Sequence, residues 1–111
     1  MSDVFRITWE NRVICLTRAR WDRLTTSHHP EFASTLDWVR DAVEHPDFVN
    51  ADRDDDQMLY HYQERGKFAF VRVSVMYRRR GVLRSLTGFV TDTIVTTRET
   101  KREVRLWPKP S

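Results

Sequence analysis

The chain has 111 residues and a formal net charge of +3, with 40% hydrophobic and 12% aromatic residues. This composition supports one compact core and argues against disorder, so we expect a single domain over residues 1–111. No apolar run approaches the ~18 residues that a membrane span needs, and residues 1–6 lack the basic-then-apolar order of a secretory signal. Cys15 is the only cysteine, which excludes an intramolecular disulfide and a thiolate metal cluster. We therefore expect a cytoplasmic protein that does not associate with membranes.

Charge is distributed unevenly along the chain. Residues 31–64 contain ten acidic and two basic residues, whereas residues 65–84 contain seven basic residues and no acidic one. Segregation of this kind is typical of proteins that bind an anionic partner at one face. The alternative is that solvated charges only keep a small protein in solution.

The first part of the chain predicts a β-hairpin followed by a helix. Residues 4–9 and 12–16 are short runs rich in β-forming side chains, and an Asn-containing turn separates them. Thr17 is a suitable N-cap for a helix that extends to about His28, and Pro30 ends this segment because the residue before a proline avoids helical geometry.

A second helix and an acidic loop follow. The helix is expected from residue 34 or 35 to Glu44. Its apolar stripe consists of Leu36, Val39 and Val43, widened by Trp38 and Ala42. Residues 47–57 hold five aspartates and little that could be buried, so we predict an exposed loop over most of this segment.

Three strand-like runs then predict an antiparallel β-meander, and a fourth run predicts an edge strand in the tail. They comprise residues 58–63, 68–77, 82–95 and 104–107, and glycines at positions 66 and 81 favour the turns between the first three. An N-terminal hairpin, two helices and a meander predict an α+β fold with both helices packed on one face of the sheet. The other face is left for solvent or for a ligand.

Alternation along residues 68–77 separates a core side from a polar side. The core side is predicted to carry Ala69, Val71, Val73, Val75 and Tyr77. The opposite side carries Phe68, Phe70, Arg72, Ser74 and Met76. Arg72 is thus expected at mid-strand among aromatic residues, an arrangement suited to holding a phosphate beside a stacked base. The alternative is a half-exposed sheet arginine without a ligand.

The next strand offers hydroxyl groups. Continued alternation places Ser85, Thr87, Thr91 and Thr93 on one side and Leu86, Val90 and Ile94 on the other. Such a strand can bring hydroxyls close to Arg72, although threonines also occur in strands simply because they are β-formers.

Histidine is the usual proton-transfer group near neutral pH, because its unperturbed pKa is about 6.5. The sequence contains His28, His29, His45 and His61, but no spacing typical of a zinc site and no motif of a serine hydrolase, a P-loop protein or a dinucleotide-binding protein. We therefore expect no cofactor and no metal. Cleaving RNA requires only proton transfer and cationic stabilisation of the phosphorane, and the residues needed for both are present.

Several short motifs occur together in a recognisable order. They are Ile7-Thr8-Trp9, Trp21-Asp22-Arg23-Leu24, His29-Pro30-Glu31, Asp41-Ala42-Val43-Glu44-His45-Pro46-Asp47, Asp52-Arg53, Leu59-Tyr60-His61-Tyr62, Val71-Arg72-Val73-Ser74-Val75, Phe89-Val90-Thr91 and Leu106-Trp107-Pro108. In this order, which spans nearly the whole chain, the sequence resembles the small phage- and toxin-associated branch of the barnase–EndoU–colicin–RelE superfamily of metal-independent ribonucleases.

The resemblance implies RNA cleavage by a helix-borne histidine with basic and hydroxyl groups on the sheet. By position, His29 would be the acid or base, Arg53 and Arg72 would bind phosphate, and Thr91 would assist. The distance from Leu24 to His29 is five residues where four is usual in the family, so His28 is the alternative catalytic histidine.

Further basic and aromatic residues are candidates for RNA binding. They are Arg65, Lys67, Phe70, Arg78, Arg79, Arg80 and Arg84. The expected partner is RNA, with an antitoxin or another protein as a second partner. Two other hypotheses are a nucleic-acid-binding module of the same fold without catalysis, and a protein-interaction module whose acidic loop at residues 52–56 contacts a basic partner. A separate expectation from the opposed charges is that this loop mimics RNA and covers the basic sheet when the protein is idle.

Overall fold

The computed structural model describes residues 3–28, 35–55, 57–66, 69–77 and 87–108. Its helices and strands are β1 (Asp3–Trp9), β2 (Arg12–Thr17), α1 (Arg18–Arg23), a π-helical turn (Leu24–His28), α2 (Leu36–Glu44), β3 (Phe48–Asp52), β4 (Met58–Glu64), β5 (Phe70–Tyr77), β6 (Thr87–Thr96) and β7 (Glu103–Trp107). The expected turn at residues 78–81 and the expected strand start at residues 82–86 lie outside the described residues. Among the described helices, none is long and apolar enough to cross a membrane.

The described strands form one mixed sheet in the order β1-β2-β6-β5-β4-β3-β7. All neighbouring strands are antiparallel except β2 and β6, which pair in parallel through Val13 with Thr87 and Cys15 with Phe89. This parallel pair joins the N-terminal hairpin to the β4–β5–β6 meander. The α+β class, the meander and the edge position of the tail strand are confirmed.

The first hairpin and helix follow from local chemistry. Glu10 and Asn11 have φ angles of 47° and 64°, as expected for the tight turn that matches the twist of a two-stranded hairpin. Thr17 caps α1, because its Oγ1 accepts a hydrogen bond from the Arg20 backbone N–H at 3.2 Å. The predicted hairpin and N-cap are both confirmed.

The core lies between one face of the sheet and the helices. Val39, Ala42 and Val43 of α2 are fully buried, and α2 contacts β1, β4 and β5. Trp21 and Leu24, from α1 and the π-helical turn, belong to the same apolar cluster. On the sheet side of this core lie the predicted residues Val71, Val73, Val75 and Tyr77. Trp38 is 40% exposed and lies outside this core, so it does not widen the apolar stripe of α2 as expected.

The prediction of a loop over most of residues 47–57 is wrong for residues 48–52, which form β3 between β4 and β7. Val49 faces the core, while the polar side chain of Asn50 is buried on the opposite face. Asn50 tolerates burial because Glu103 and Arg105 of β7 supply hydrogen-bond partners. The high aspartate content of residues 47–57 predicts a loop, but the strand forms because it pairs with β4 and with β7, which is distant in sequence.

A β-bulge interrupts the alternation of β6. Ser74 pairs with Asp92 and Val75 pairs with Val90, so Thr91 is the extra residue. Beyond the bulge the faces exchange: Thr93 pairs with Val73 on the core side and is fully buried. Ile94 instead pairs with Arg72. The expectation that Val90 and Ile94 share one face is therefore wrong.

Candidate functional site

The sheet face opposite α2, which we call the open face, gathers aromatic and charged side chains. Cross-strand pairs put them side by side: Tyr62 with Arg72, Tyr60 with Ser74, and Asn50 with both Tyr60 and Arg105. The open face of β3, β4, β5 and β7 consists of Phe48, Asn50, Asp52, Met58, Tyr60, Tyr62, Phe70, Arg72, Ser74, Met76, Glu103 and Arg105.

Arg72 lies at mid-strand on the open face, as alternation predicts. Its guanidinium carbon is 4.1 Å from the centre of the Tyr60 ring, which gives a cation–π contact. Its Nη2 is 3.2 Å from Oε2 of Glu103, and 16% of the Arg72 side chain is exposed. The guanidinium is therefore held in one orientation while an edge remains accessible.

Glu103 is the buried acceptor at the centre of this face, and its side chain has no solvent exposure. Besides the ion pair with Arg72, the carboxylate accepts hydrogen bonds from Tyr62 Oη at 2.6 Å and Thr100 Oγ1 at 2.7 Å. The Thr100 backbone N–H and Asn50 Nδ2 each donate to it at 3.3 Å. These contacts fill the hydrogen-bonding positions around the carboxylate, so Glu103 holds Arg72 in place as its ion-pair partner.

Asp52 is a second ordered carboxylate near Arg72. Its Oδ2 accepts hydrogen bonds from the backbone N–H groups of Asp54 and Asp55, both at 3.0 Å, and its Oδ1 accepts from Tyr60 Oη at 2.8 Å. The Tyr60 hydroxyl is the main reason that the pKa of Asp52 is lowered, with further contributions from the two N–H groups and Arg102. Burial and the Asp52 contact raise the pKa of Tyr60 to about 12, so this hydroxyl remains a donor near neutral pH.

Arg105 continues the network toward the sheet edge. Its Nε donates to Asn50 Oδ1 at 3.1 Å, and its Nη2 lies 3.2 Å from Glu99 Oε1. The guanidinium lies 4.1 Å from the Phe48 ring centre, and Phe48 stacks on Tyr62 at 4.6 Å. Asn50 also donates to Glu99. These contacts fasten the segment from Glu99 to Arg105 onto the open face.

A pocket of about 360 Å³, which we call the Arg72 pocket, opens beside Arg72. It contains two guanidinium groups, two carboxylates and two hydroxyls, together with one aromatic ring and a thioether. The lining residues are Asp52, Asp55, Met58, Tyr60, Arg72, Thr100 and Arg102. This is the size and mixed chemistry of a site for a small polar ligand or for one unit of a polymer.

Folding partly neutralises the basic stretch seen in the sequence. Its two described arginines, Arg65 and Arg72, each face a carboxylate from elsewhere in the chain. Arg65 Nη2 lies 3.3 Å from Asp41 Oδ2, and its guanidinium lies over Trp38 of α2 at 5.2 Å. Arg65 therefore lies against α2, away from the Arg72 pocket.

The structure brings only some of the predicted site residues together. Phe70 shares the open face with Arg72 and contacts the Phe48 and Tyr62 rings edge-on at 5.7 and 6.2 Å. Thr91 donates a hydrogen bond to the Ser74 carbonyl at 3.3 Å and lines a second pocket, beside α1, instead of the Arg72 pocket. Arg53 is exposed after β3 and lines neither of these two pockets.

Other predicted residues fall in parts of the chain without a description. His28 ends the π-helical turn, but its side chain is outside the described part. The candidates that lie wholly outside the described residues are His29, Lys67, Arg78, Arg79, Arg80 and Arg84.

The two remaining histidines lie away from the open face. His61 is fully buried on the core side, edge-on to Trp9 at 4.7 Å, and burial lowers its pKa to about 3. It is therefore neutral and closed to solvent near pH 7. His45 is exposed at the end of α2, with Nε2 3.4 Å from Glu44. Within the described ranges, no group of three or more His, Cys, Asp or Glu side chains is arranged to hold a metal ion.

Sequence reasoning missed Glu103 and Arg105, two central members of the network. They occur in a tail segment without a catalytic motif, and their importance arises from pairing of β7 with β3. Only the alternation of charged and apolar residues in Glu103–Trp107 marks this strand in the sequence.

Comparison with known proteins adds no relative: no family model matches the chain, and no curated protein or solved structure matches it.

Proposed function

We propose that the open face binds single-stranded RNA and that the protein cleaves this RNA without a metal ion. The observation that carries the proposal is Arg72, a guanidinium fixed between Tyr60 and Glu103 at mid-sheet, with a pocket of about 360 Å³ beside it. The resemblance to barnase–EndoU–colicin–RelE ribonucleases supports the cleavage half of the proposal.

Arginine suits phosphate recognition because its planar fork donates two parallel hydrogen bonds. In the Arg72 pocket, Arg72 and Arg102 would contact the phosphate. The half-buried ring of Phe70 is available on the same face for contact with a base. Asp52 and Asp55 oppose binding of an anion in this pocket, so long-range attraction has to come from the net charge of +3.

Cleavage would form a bond from the 2′-oxygen to phosphorus and break the bond to the 5′-oxygen, giving a 2′,3′-cyclic phosphate and a free 5′-hydroxyl. One group must take the 2′-hydroxyl proton and one must protonate the leaving oxygen. Glu103 and Asp52 are already surrounded by donors, and His61 is buried. We therefore assign proton transfer to His28 or His29, which would take the proton from the 2′-hydroxyl and pass it to the leaving 5′-oxygen, with Arg72 stabilising the phosphorane.

A second candidate is an RNA-binding module without catalysis. The observation that favours it is that hydrogen-bond donors surround two carboxylates of the open face, Glu103 and Asp52. For Asp52 the Tyr60 hydroxyl also lowers the pKa of the carboxyl group, which makes it a weaker base. The two candidates predict the same RNA affinity and differ only in whether the RNA is cut.

Arg72→Lys tests the shared claim. Lysine keeps a positive charge beside Glu103 but loses the planar fork and the stacking on Tyr60. We expect the affinity for a fluorescent single-stranded RNA to fall about tenfold, which is 1.4 kcal/mol. The affinity of the wild type should also fall steeply with salt.

Arg40→Lys is the matched control, because Arg40 is an exposed arginine on α2, the helix that covers the opposite side of the sheet. It should bind RNA like the wild type. Thermal unfolding of both variants checks that the fold is retained. Wild-type affinity in a folded Arg72→Lys protein would contradict the proposal.

A further inference from the structure

A second pocket of about 450 Å³ lies beside α1 at one end of the β5–β6 pair. Its lining includes Cys15, Met76 and Phe89 from the open face and Tyr77 and Val90 from the core side. We call it the Arg20 pocket. The residues that give it its chemical character are Cys15, Thr17, Arg20, Met76, Phe89 and Thr91. It combines apolar walls with one guanidinium and three hydroxyls, those of Thr17, Tyr77 and Thr91, and it does not contain Arg72.

The two pockets are neighbours across the sheet. Met58 lines the Arg72 pocket, Met76 lines the Arg20 pocket, and these two methionines are paired residues of β4 and β5. Paired strands lie about 4.8 Å apart, so the two pockets have neighbouring residues in their linings at this methionine pair. Gln57, directly before Met58, lines the Arg20 pocket and completes the connection.

The charges of the two pockets differ. Arg72 is paired with Glu103, whereas no carboxylate in the described part of the chain forms an ion pair with Arg20. Among the described residues, no Asp or Glu lines the Arg20 pocket. An anionic group therefore meets less electrostatic opposition at Arg20 than in the Arg72 pocket, where Asp52 and Asp55 are present.

The remaining lining suits a flat apolar ring. Met76 is 39% exposed and presents a flexible, polarisable thioether next to Phe89. Thr17 Oγ1 already accepts from the Arg20 backbone, so its hydroxyl hydrogen is available to a ligand. Thr91 donates to the Ser74 carbonyl, which leaves its oxygen able to accept.

We propose that the Arg20 pocket is a second nucleotide subsite, so that single-stranded RNA crosses the open face from the Arg72 pocket, over the Met58–Met76 pair, to Arg20. This inference rests on the proposed RNA binding. It specifies that the protein contacts at least two adjacent nucleotides of the RNA. Met76 and Phe89 contact a base, and Arg20 contacts a phosphate.

The experiment measures affinity for labelled RNA of one, two, three and six nucleotides with the wild type, Arg20→Gln and Arg23→Gln. Arg23 is an exposed arginine of the same helix and serves as the matched control. The wild type and Arg23→Gln should gain affinity as the RNA lengthens from one to three nucleotides. Arg20→Gln should lose about tenfold for the trinucleotide and bind the mononucleotide like the wild type.

Met76→Glu tests the apolar wall independently and should abolish the same gain with length. Its control, Val95→Glu, alters a 51% exposed residue that pairs with Val71 near the C-terminal end of β6 and does not line the Arg20 pocket. Unchanged length dependence in folded Arg20→Gln and Met76→Glu proteins overturns the second subsite, while binding that still depends on Arg72 leaves the proposed function standing. Absence of RNA binding by the wild type overturns both.

Discussion

Glu103 explains how an arginine can lie partly buried in the middle of a sheet. The carboxylate forms an ion pair with Arg72 and accepts hydrogen bonds from Tyr62, Thr100 and Asn50. Its side chain is not exposed to solvent. Removing one partner of such a pair leaves the other charge buried without compensation. The geometry of Arg72 therefore depends on Glu103, a residue that need not contact a ligand.

Glu103→Ala should lower the free energy of unfolding by about 3–5 kcal/mol, because it leaves the Arg72 charge and the Tyr62 hydroxyl without their acceptor. Chemical denaturation measures this loss. Glu99→Ala is the control, since Glu99 is 39% exposed and should cost about 1 kcal/mol or less. Equal losses in the two variants would show that Glu103 is not the anchor.

His61 makes stability depend on pH. Its pKa is lowered by burial from about 6.5 in the unfolded chain to about 3 in the folded protein. The unfolded state therefore binds more protons between these values, so stability is complete above pH 6.5 and decreases as the pH falls. Asp52, whose lowered pKa also stabilises the folded state, contributes in the same direction only below about pH 4.

Between pH 7 and pH 5, His61 should account for a loss of about 2 kcal/mol in the free energy of unfolding. Denaturation of the wild type and His61→Phe at both pH values measures it. Because each protein is compared with itself, a change in packing caused by phenylalanine cancels. A variant that loses as much stability as the wild type over this range would refute the role of His61.

At the scale of the strand, the bulge at Thr91 decides which residues of β6 meet the core. Gly88, before the bulge, pairs with Tyr77, and a β-carbon at Gly88 would lie 2.7 Å from both Tyr77 Cε1 and Val75 Cγ1. Such distances are too short for carbon atoms, so a side chain there requires Tyr77 and Val75 to move. Gly88 thus permits close packing between β6 and the core side of β5.

Gly88→Ala should therefore destabilise the protein by about 1–3 kcal/mol through overpacking. Val95→Ala, on an exposed part of the same strand, should change stability by only about 0.5 kcal/mol. Denaturant midpoints compare the two variants. If Gly88→Ala were as stable as Val95→Ala, the close contact with Tyr77 would not constrain this position.

Elements with a strong local signal could be predicted from the sequence. The β1–β2 hairpin follows from its turn residues, and the start of α1 follows from its Thr17 cap. α2 and the two faces of β5 follow from hydrophobic periodicity. β3 could not be predicted in this way, because its aspartate-rich sequence becomes a strand only by pairing with β4 and β7. The bulge in β6 likewise depends on how this strand pairs with β5. Alternation along β6 alone therefore predicted the wrong face for the residues after Thr91.

The same limit applies to the candidate site: features within one strand could be predicted from the sequence, and contacts between strands could not. Alternation within one strand was enough to place Arg72 and Phe70 on the open face. The counter-ion of Arg72 is Glu103, 31 residues later, and the Tyr60 ring that supports Arg72 comes from another strand. Both contacts depend on the register between strands, which cannot be derived from a single strand's pattern.

At the scale of the whole molecule, the two faces of the sheet carry different types of side chain. The helices and the apolar residues of β5 cover one face, while arginines, aromatic rings and carboxylates occupy the other. Charges that are segregated in the sequence are partly paired after folding, as in Arg65 with Asp41. The folded protein carries a net charge of +3, and the Arg72 pocket and the Arg20 pocket are both lined by residues of the open face.

Cleavage of end-labelled single-stranded RNA in the presence of EDTA tests the central claim most directly. The wild type should produce fragments with 2′,3′-cyclic phosphate ends. Either His28→Ala or His29→Ala should reduce the rate at least ~100-fold without changing RNA affinity. His45→Ala, purified in the same way, should cleave like the wild type. Intact RNA in the wild-type reaction, or equal cleavage by all four proteins, would contradict the assignment of this domain as a ribonuclease.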